Sequence, residues 1–199
     1  MLILVRHGRT AANASGLLLG RLDVGLDAEG VRQAAALGSA LDAVPVGSAG
    51  RRVVSSPLLR TRQTATHLDR TVVLDERWIE LDYGEWDGRP IADVPPEAWG
   101  AWRRDADFAP AGGESLASVG ARVRRVCEEL AEEAAERDVV VVTHVSPLKA
   151  AVAWALGLPD LAVWRLFVAP ASITRIRTGG PAPTLVSFNE TQHLGPPAP

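Results

Sequence analysis

The sequence predicts an α/β protein, a three-layer α/β/α sandwich around a mostly parallel central sheet. Three observations carry that expectation. Short apolar runs rich in β-branched residues alternate with helical patterns along the chain. The strongest run, Asp138–Thr143 (DVVVVT), lacks polar alternation, as a centre strand covered on both faces should. The chain has 199 residues, 47% hydrophobic and 23% charged, globular values that suit one sizeable core.

The elements follow in order. Residues 2–5 (LILV) read as a buried strand that stops at Arg6-His7-Gly8-Arg9-Thr10. Asp27 is placed to N-cap a helix running to about Leu41. Residues 52–55 form a second apolar strand, and Pro57 then sits where a first helical turn accepts it, with the helix continuing to about Leu68. Residues 71–74 and 77–81 read as strands or extended segments. Residues 90–102, broken by Pro95-Pro96, read as a short helical excursion. The longest helical pattern covers residues 114–137, with Leu116, Val119, Val123, Val126 and Leu130 on one face. A helix over 146–156 follows the DVVVVT strand, and 163–168, 172–177 and 184–188 read as late strands. No internal repeat or Gly/Ser-rich linker divides the chain, so one domain is expected over 1–194, with a disordered tail at 195–199.

Composition narrows the function classes. A net charge of −3 argues against a general nucleic-acid surface. Lys149 is the only lysine, so almost all positive charge is arginine, which suits bidentate contacts with phosphate or carboxylate. Cys127 is the only cysteine, which excludes an intrachain disulfide and a cysteine-based metal cluster. No signal peptide and no apolar stretch of membrane-spanning length is visible, so a cytoplasmic protein without membrane or nucleic-acid partners is expected.

In open α/β sheets ligands bind beyond the carboxyl ends of the strands. That rule marks Arg6-His7-Gly8, Ser55-Ser56-Pro57 and His144-Val145-Ser146. Two of these carry a histidine, and two such histidines can lie side by side. Gly8 would let the backbone approach a ligand closely. His67 and His193 lack this context and read as ordinary residues. Arg60, in the second turn of the helix after the second strand, can reach back to the same crevice, whereas Arg62 diverges. With Arg6 it can grip a dianion. A carboxyl group for proton transfer is available in Glu80, Asp82, Glu85 or Asp87, and spacing does not choose among them. Metal-ligand spacings are missing, and a cation would sit poorly beside Arg6, Arg9 and Arg60. No G-x-S-x-G is present for a serine nucleophile.

RHGRT after an N-terminal strand, GLDAEG, SSPLLRTRQTA, ELDYGEWDG, GGES and VVVVTH occur in this order. Together they resemble the histidine phosphatase superfamily, the group with cofactor-dependent phosphoglycerate mutases and α-ribazole phosphatase. The resemblance covers residues 2–194 and implies a phosphoglycerate mutase-like fold. It implies that His7 is the nucleophile and becomes phosphorylated, that Arg6, Arg60 and His144 surround the phosphoryl group, and that Asn13 adds a contact. It selects Glu80 as the acid. No metal or cofactor is expected, since the arginines and His144 supply the positive field.

Val145 departs from the small residue usual after the second histidine, and Ser146 is placed to compensate. Leu81 stands where mutases normally carry arginine, and the chain is short for a mutase lid. Trp102-Arg103-Arg104 resembles a double-arginine segment by which mutases hold a substrate carboxylate. Arg103 and Arg104 are therefore candidate substrate contacts, as are Gly20 and Arg21. Trp78, Trp86, Trp99 and Trp102 read as core before pocket rim. The expected function is hydrolysis of a small phosphate monoester. A cofactor-dependent phosphoglycerate mutase is the alternative, and a non-catalytic phosphate-binding or scaffold protein is a third reading. Substrate identity and oligomeric state stay open, a homodimer being one option.

Overall fold

The computed structural model describes residues 1–43, 50–68 and 71–195. All but the first residue of the expected tail lies outside the described residues. The six strands are β1 (Leu2–Arg6), β2 (Arg51–Ser55), β3 (Val72–Leu74), β4 (Asp138–Thr143), β5 (Ile173–Arg177) and β6 (Thr184–Glu190). They form one sheet in the order β3-β2-β4-β1-β5-β6. The first four in that order run parallel, and β5 and β6 add an antiparallel edge. The helices are α1 (Ala11–Ala14), α2 (Ala28–Asp42), α3 (Leu59–Ala65), α4 (Pro96–Arg104), α5 (Leu116–Glu136) and α6 (Val145–Leu156).

Side chains alternate across a strand, so each strand feeds two cores. Leu2, Leu4, Val139 and Val141 pack with α5 and α6 on one face. Ile3, Val5, Val140 and Val142 pack on the other with Leu37 and Leu41 of α2 and Ala65 of α3. This alternation makes the three layers and explains why DVVVVT needs no polar positions. The predicted face of α5 is buried from Leu116 to Leu130. Asp27 caps α2 by accepting the Gly30 N–H at 2.7 Å.

Parallel pairing sets the site. β1 pairs Arg6 with Thr143 and β2 pairs Ser55 with Val142, so three strands end together. The ladder runs one step further, through His7 N–H to the Thr143 carbonyl and Ser56 N–H to the Val142 carbonyl, both 3.0 Å.

Two expected extended segments are otherwise. Residues 77–81 join no sheet. Asp75 accepts the Arg77 N–H and starts a 3-10 turn, Glu76–Trp78, which drives Trp78 fully into the core. Residues 163–168 overlap another 3-10 helix, Asp160–Arg165, because Val163 and Trp164 turn inward beneath α4 and α6. The short α1 was not anticipated. It is held by a reciprocal Thr10/Asn13 capping box.

Trp102 is fully buried, with ring centroids 5.6 Å from Trp86 and Trp99 and 5.7 Å from Tyr83 and Trp164. Trp102→Ala is expected to cost about 3–5 kcal/mol, the usual penalty for emptying an aromatic core site. A urea titration followed by circular dichroism checks this through the midpoint. An unchanged midpoint would show that the cluster closes around the gap.

Candidate active site

His7 and His144 extend from adjacent strands and face each other edge-on, with ring centroids 5.1 Å apart. Both are buried. His7 Nδ1 lies 2.7 Å from the Gly8 carbonyl oxygen. A carbonyl only accepts, so Nδ1 carries the proton and Nε2 keeps a free lone pair. Burial, with Arg60 and Arg6 close by, holds the His7 imidazole well below the usual histidine range. Burial, then Arg60 and His7, does the same to His144. Both rings are therefore neutral at ordinary pH.

His144 Nε2 meets the Ser56 hydroxyl at 2.7 Å, while its Nδ1 is buried without a partner. The sequence marked Ser56 as a strand end without assigning it a role. The same rule that found the histidines could have found it.

Arg6 donates to the Val168 carbonyl at 2.6 Å, and Arg60 donates to the carbonyls of Gly20 at 2.6 Å and Leu22 at 2.8 Å. The Nε atoms of both arginines are buried and unpartnered. Burial pulls Arg6 down to about 10 and lowers Arg60 as well.

Glu80 sits at the start of α6, where a helix presents free N–H groups. Its Oε1 accepts from Leu81 at 2.8 Å and Ser146 at 3.1 Å, and its Oε2 accepts from Val145 at 3.0 Å. The irregular segment that delivers it is pinned from two sides. Thr143 Oγ1 donates to the Trp78 carbonyl at 2.6 Å, and Arg122 of α5 donates to the Arg77 carbonyl at 2.6 Å. The backbone N–H after the second histidine thus serves Glu80, and the bulk of Val145 faces the cavity instead.

A cavity of about 200 Å³ opens here, lined by Arg6, His7, Asn13, Glu80, Tyr83 and Val145 among others. Arg60 and His144 stand behind this wall, fully buried. Asn13 uses its Oδ1 to cap α1, accepting from Thr10 at 3.2 Å. The other candidates are elsewhere. Gly20 is packed under Arg60 and close to the Leu81 carbonyl. Arg21 pairs with Asp82 and Glu114. Arg103 is exposed and covers the rings of Trp99 and Trp164 at 5.7 and 5.9 Å, and Arg104 is exposed on the end of α4. Gly8 is required by packing rather than by a ligand: a Cβ there would stand 2.5 Å from the Gly30 carbonyl oxygen. Among the described residues no group of three or more His, Cys, Asp or Glu could hold a metal ion.

Fold and site together define an α/β protein with a buried histidine pair, flanking arginines and one carboxyl group at the carboxyl edge of its sheet. Residues 2–191 match the family described as the histidine phosphatase superfamily (branch 1). The chain is 37% identical over 177 residues to glucosyl-3-phosphoglycerate phosphatase of Mycobacterium tuberculosis, covering 79% of this chain and 76% of that one. It is 33% identical over 204 residues to phosphoserine phosphatase 1 of Hydrogenobacter thermophilus, covering 98% and 94%. A solved mycobacterial glucosyl-3-phosphoglycerate phosphatase complexed with VO3 superposes with a TM-score of 0.84 at 33% identity, covering 96% of this chain and 98% of that one. Against other relatives, from Mycobacterium tuberculosis and Mycobacterium bovis, the match is 36% identical but spans only 49% of their length, about half. The chain belongs to the histidine phosphatase superfamily.

Proposed function

We propose that the protein hydrolyses a small-molecule phosphate monoester through a phosphohistidine on His7. The observation that carries this reading is the Nδ1 bond of His7 to the Gly8 carbonyl, which leaves Nε2 unprotonated on a ring that lines a cavity together with Arg6. Nε2 attacks phosphorus and the ester P–O bond breaks. The Glu80 carboxyl group gives its proton to the departing oxygen. Water then attacks the phosphohistidine, Glu80 takes a proton from it, and His7 and inorganic phosphate are released. Charge on the phosphoryl oxygens is met by Arg6 and Asn13 at the wall and by the field of Arg60 and His144 behind it. The unpartnered Nε atoms of Arg6 and Arg60 support an anion as occupant.

Both relatives described above by activity are phosphatases, which supports hydrolysis over mutase chemistry. Phosphate release from a panel of esters is the test, with 2-/3-phosphoglycerate interconversion assayed alongside in the presence of bisphosphoglycerate. Steady release with little interconversion is expected. Efficient interconversion with negligible release would replace the phosphatase reading. The arginines supply the positive charge, so activity in excess EDTA is expected to stay within about twofold of the untreated value. Loss to EDTA and recovery with one divalent ion would contradict this.

Cytoplasmic location is part of the same proposal. It is supported by the buried free thiol of Cys127, which a reducing compartment preserves. Among the described residues no helix is long and apolar enough to cross a membrane.

A further inference from the structure

Among the described residues two that are not glycine have positive φ, Ala171 at 54° and Asn189 at 56°. A side chain is crowded in that region, so the conformation persists only where neighbours enforce it. Neither residue lines the cavity at His7, yet both bear on it.

Ala169-Pro170-Ala171-Ser172 is a turn closed by the Ser172 N–H to the Ala169 carbonyl at 3.2 Å. Proline at its second position and positive φ at its third make it type II, a turn that prefers glycine at the third position. Alanine stands there, so the turn is not secured by its own sequence. Three hydrogen bonds join this turn and Val168, the residue before it, to Arg6 and His7. The Ala171 N–H donates to the His7 carbonyl at 3.0 Å, and the Ser172 carbonyl accepts the Arg6 N–H at 3.2 Å. The Val168 carbonyl accepts from the Arg6 guanidinium at 2.6 Å.

Two side chains from later in the sequence grip the turn. Ile173 of β5 faces Glu190 of β6, but Arg175 faces Ser187, so β6 carries one extra residue as a bulge. Asn189 lies in that bulge, and its Oδ1 accepts the Ala169 N–H at 2.7 Å. Four residues on, in the 3-10 turn Gln192–Leu194, His193 Nε2 meets the Ala171 carbonyl at 3.0 Å. A carbonyl only accepts, so this Nε2 carries a proton and donates it. Asn189 thus holds the first residue of the turn and His193 the strained third.

We infer that His193 and Asn189 are positioning residues for catalysis: they clamp the Ala171 turn, and through it they fix the His7 backbone and the Arg6 guanidinium. This rests on the phosphatase reading of the His7 cavity and adds a control on nucleophile placement from β6 and the residues after it.

His193→Ala is expected to lower kcat by about ten- to a hundredfold, the scale on which a displaced reacting group loses rate. His193→Gln, whose amide N–H can take the place of Nε2–H, is expected to return kcat to within about threefold of wild type. Asn189→Gly keeps the left-handed backbone but loses the acceptor, and is expected to fall as His193→Ala does. The discriminating background is Ala171→Gly. Glycine adopts positive φ without steric cost, so the turn forms there unaided. In that background His193→Ala is expected to cost less than about twofold in kcat relative to Ala171→Gly alone, a coupling that a double-mutant cycle reads. Thermal unfolding of each variant checks the fold. Full kcat in His193→Ala, or no recovery with His193→Gln, would overturn the clamp. The same loss with and without Ala171→Gly would do so too, by showing that His193 only fills space against α2. Amide hydrogen exchange needs no turnover. The Ala171 N–H is expected to exchange about tenfold faster in His193→Ala than in wild type, as a locally loosened segment does. If wild type releases phosphate from no ester, the phosphatase reading fails, and the exchange ratio still decides the clamp, equal rates overturning it.

Discussion

His7→Ala is expected to lower turnover by about 10⁴-fold or more, the scale on which loss of a covalent nucleophile acts. The protein should still fold. The His7 side chain bonds only to its own neighbour, Gly8, while its backbone N–H to Thr143 and its carbonyl to the Ala171 N–H belong to the main chain and survive the change. Activity and stability therefore separate. Rapid quench with labelled substrate should trap acid-labile, base-stable phosphate on wild type and none on the variant. Label retained on His7→Ala would move the nucleophile elsewhere. The 5.1 Å neighbour His144 is the natural place to look, since its Nδ1 is unpartnered, whereas that of His7 is bonded to Gly8. Its Nε2, however, is already committed to Ser56, which favours a supporting role.

Glu80→Gln is expected to slow kcat by about 10²- to 10⁴-fold, the range for losing a positioned proton donor. Two effects contribute. The amide has no proton to give a departing alkoxide. It also has one acceptor where the carboxylate has two, and both Glu80 oxygens accept backbone N–H groups of Leu81, Val145 and Ser146. The NH2 group must therefore face at least one donor, and the side chain should be displaced. The leaving group separates the two effects. Displacement costs every ester alike. Loss of the proton costs alkyl phosphates far more than p-nitrophenyl phosphate, whose phenolate departs without help. A steeper dependence of rate on leaving-group pKa in the variant supports the acid role. Equal slowing across the series would reduce Glu80 to a positioning residue.

Much of the site could be read from local pattern. The β-branched run at β4 and the apolar run at β1 announced buried parallel strands, and the rule for strand ends then brought His7, Ser56 and His144 to one edge. Asp27 as a cap and the buried face of α5 followed from spacing alone. Glu80 was different. Four acids between residues 80 and 87 were equally placed, and only the resemblance selected one. The extended segment that would have put Glu80 and Asp82 on one face is a 3-10 turn followed by irregular chain.

Local sequence thus settled which chemistry stands at the strand ends, because strand periodicity and parallel pairing act over a few residues and repeat along the chain. Contacts between distant residues settled the rest. Glu80 meets the start of α6 across 65 positions, and Ser56 meets His144 across 88. Arg21 lost its candidacy to Glu114, 93 positions away, and Arg103 is engaged on tryptophan rings. Lys149, legible only as the sole lysine, is half-buried on α6, where Glu80 acts on its charge. Charge and hydrogen-bonding capacity are written in each residue. Whether that capacity is spent inside the protein or left for a ligand depends on which partners the fold brings within about 3 Å.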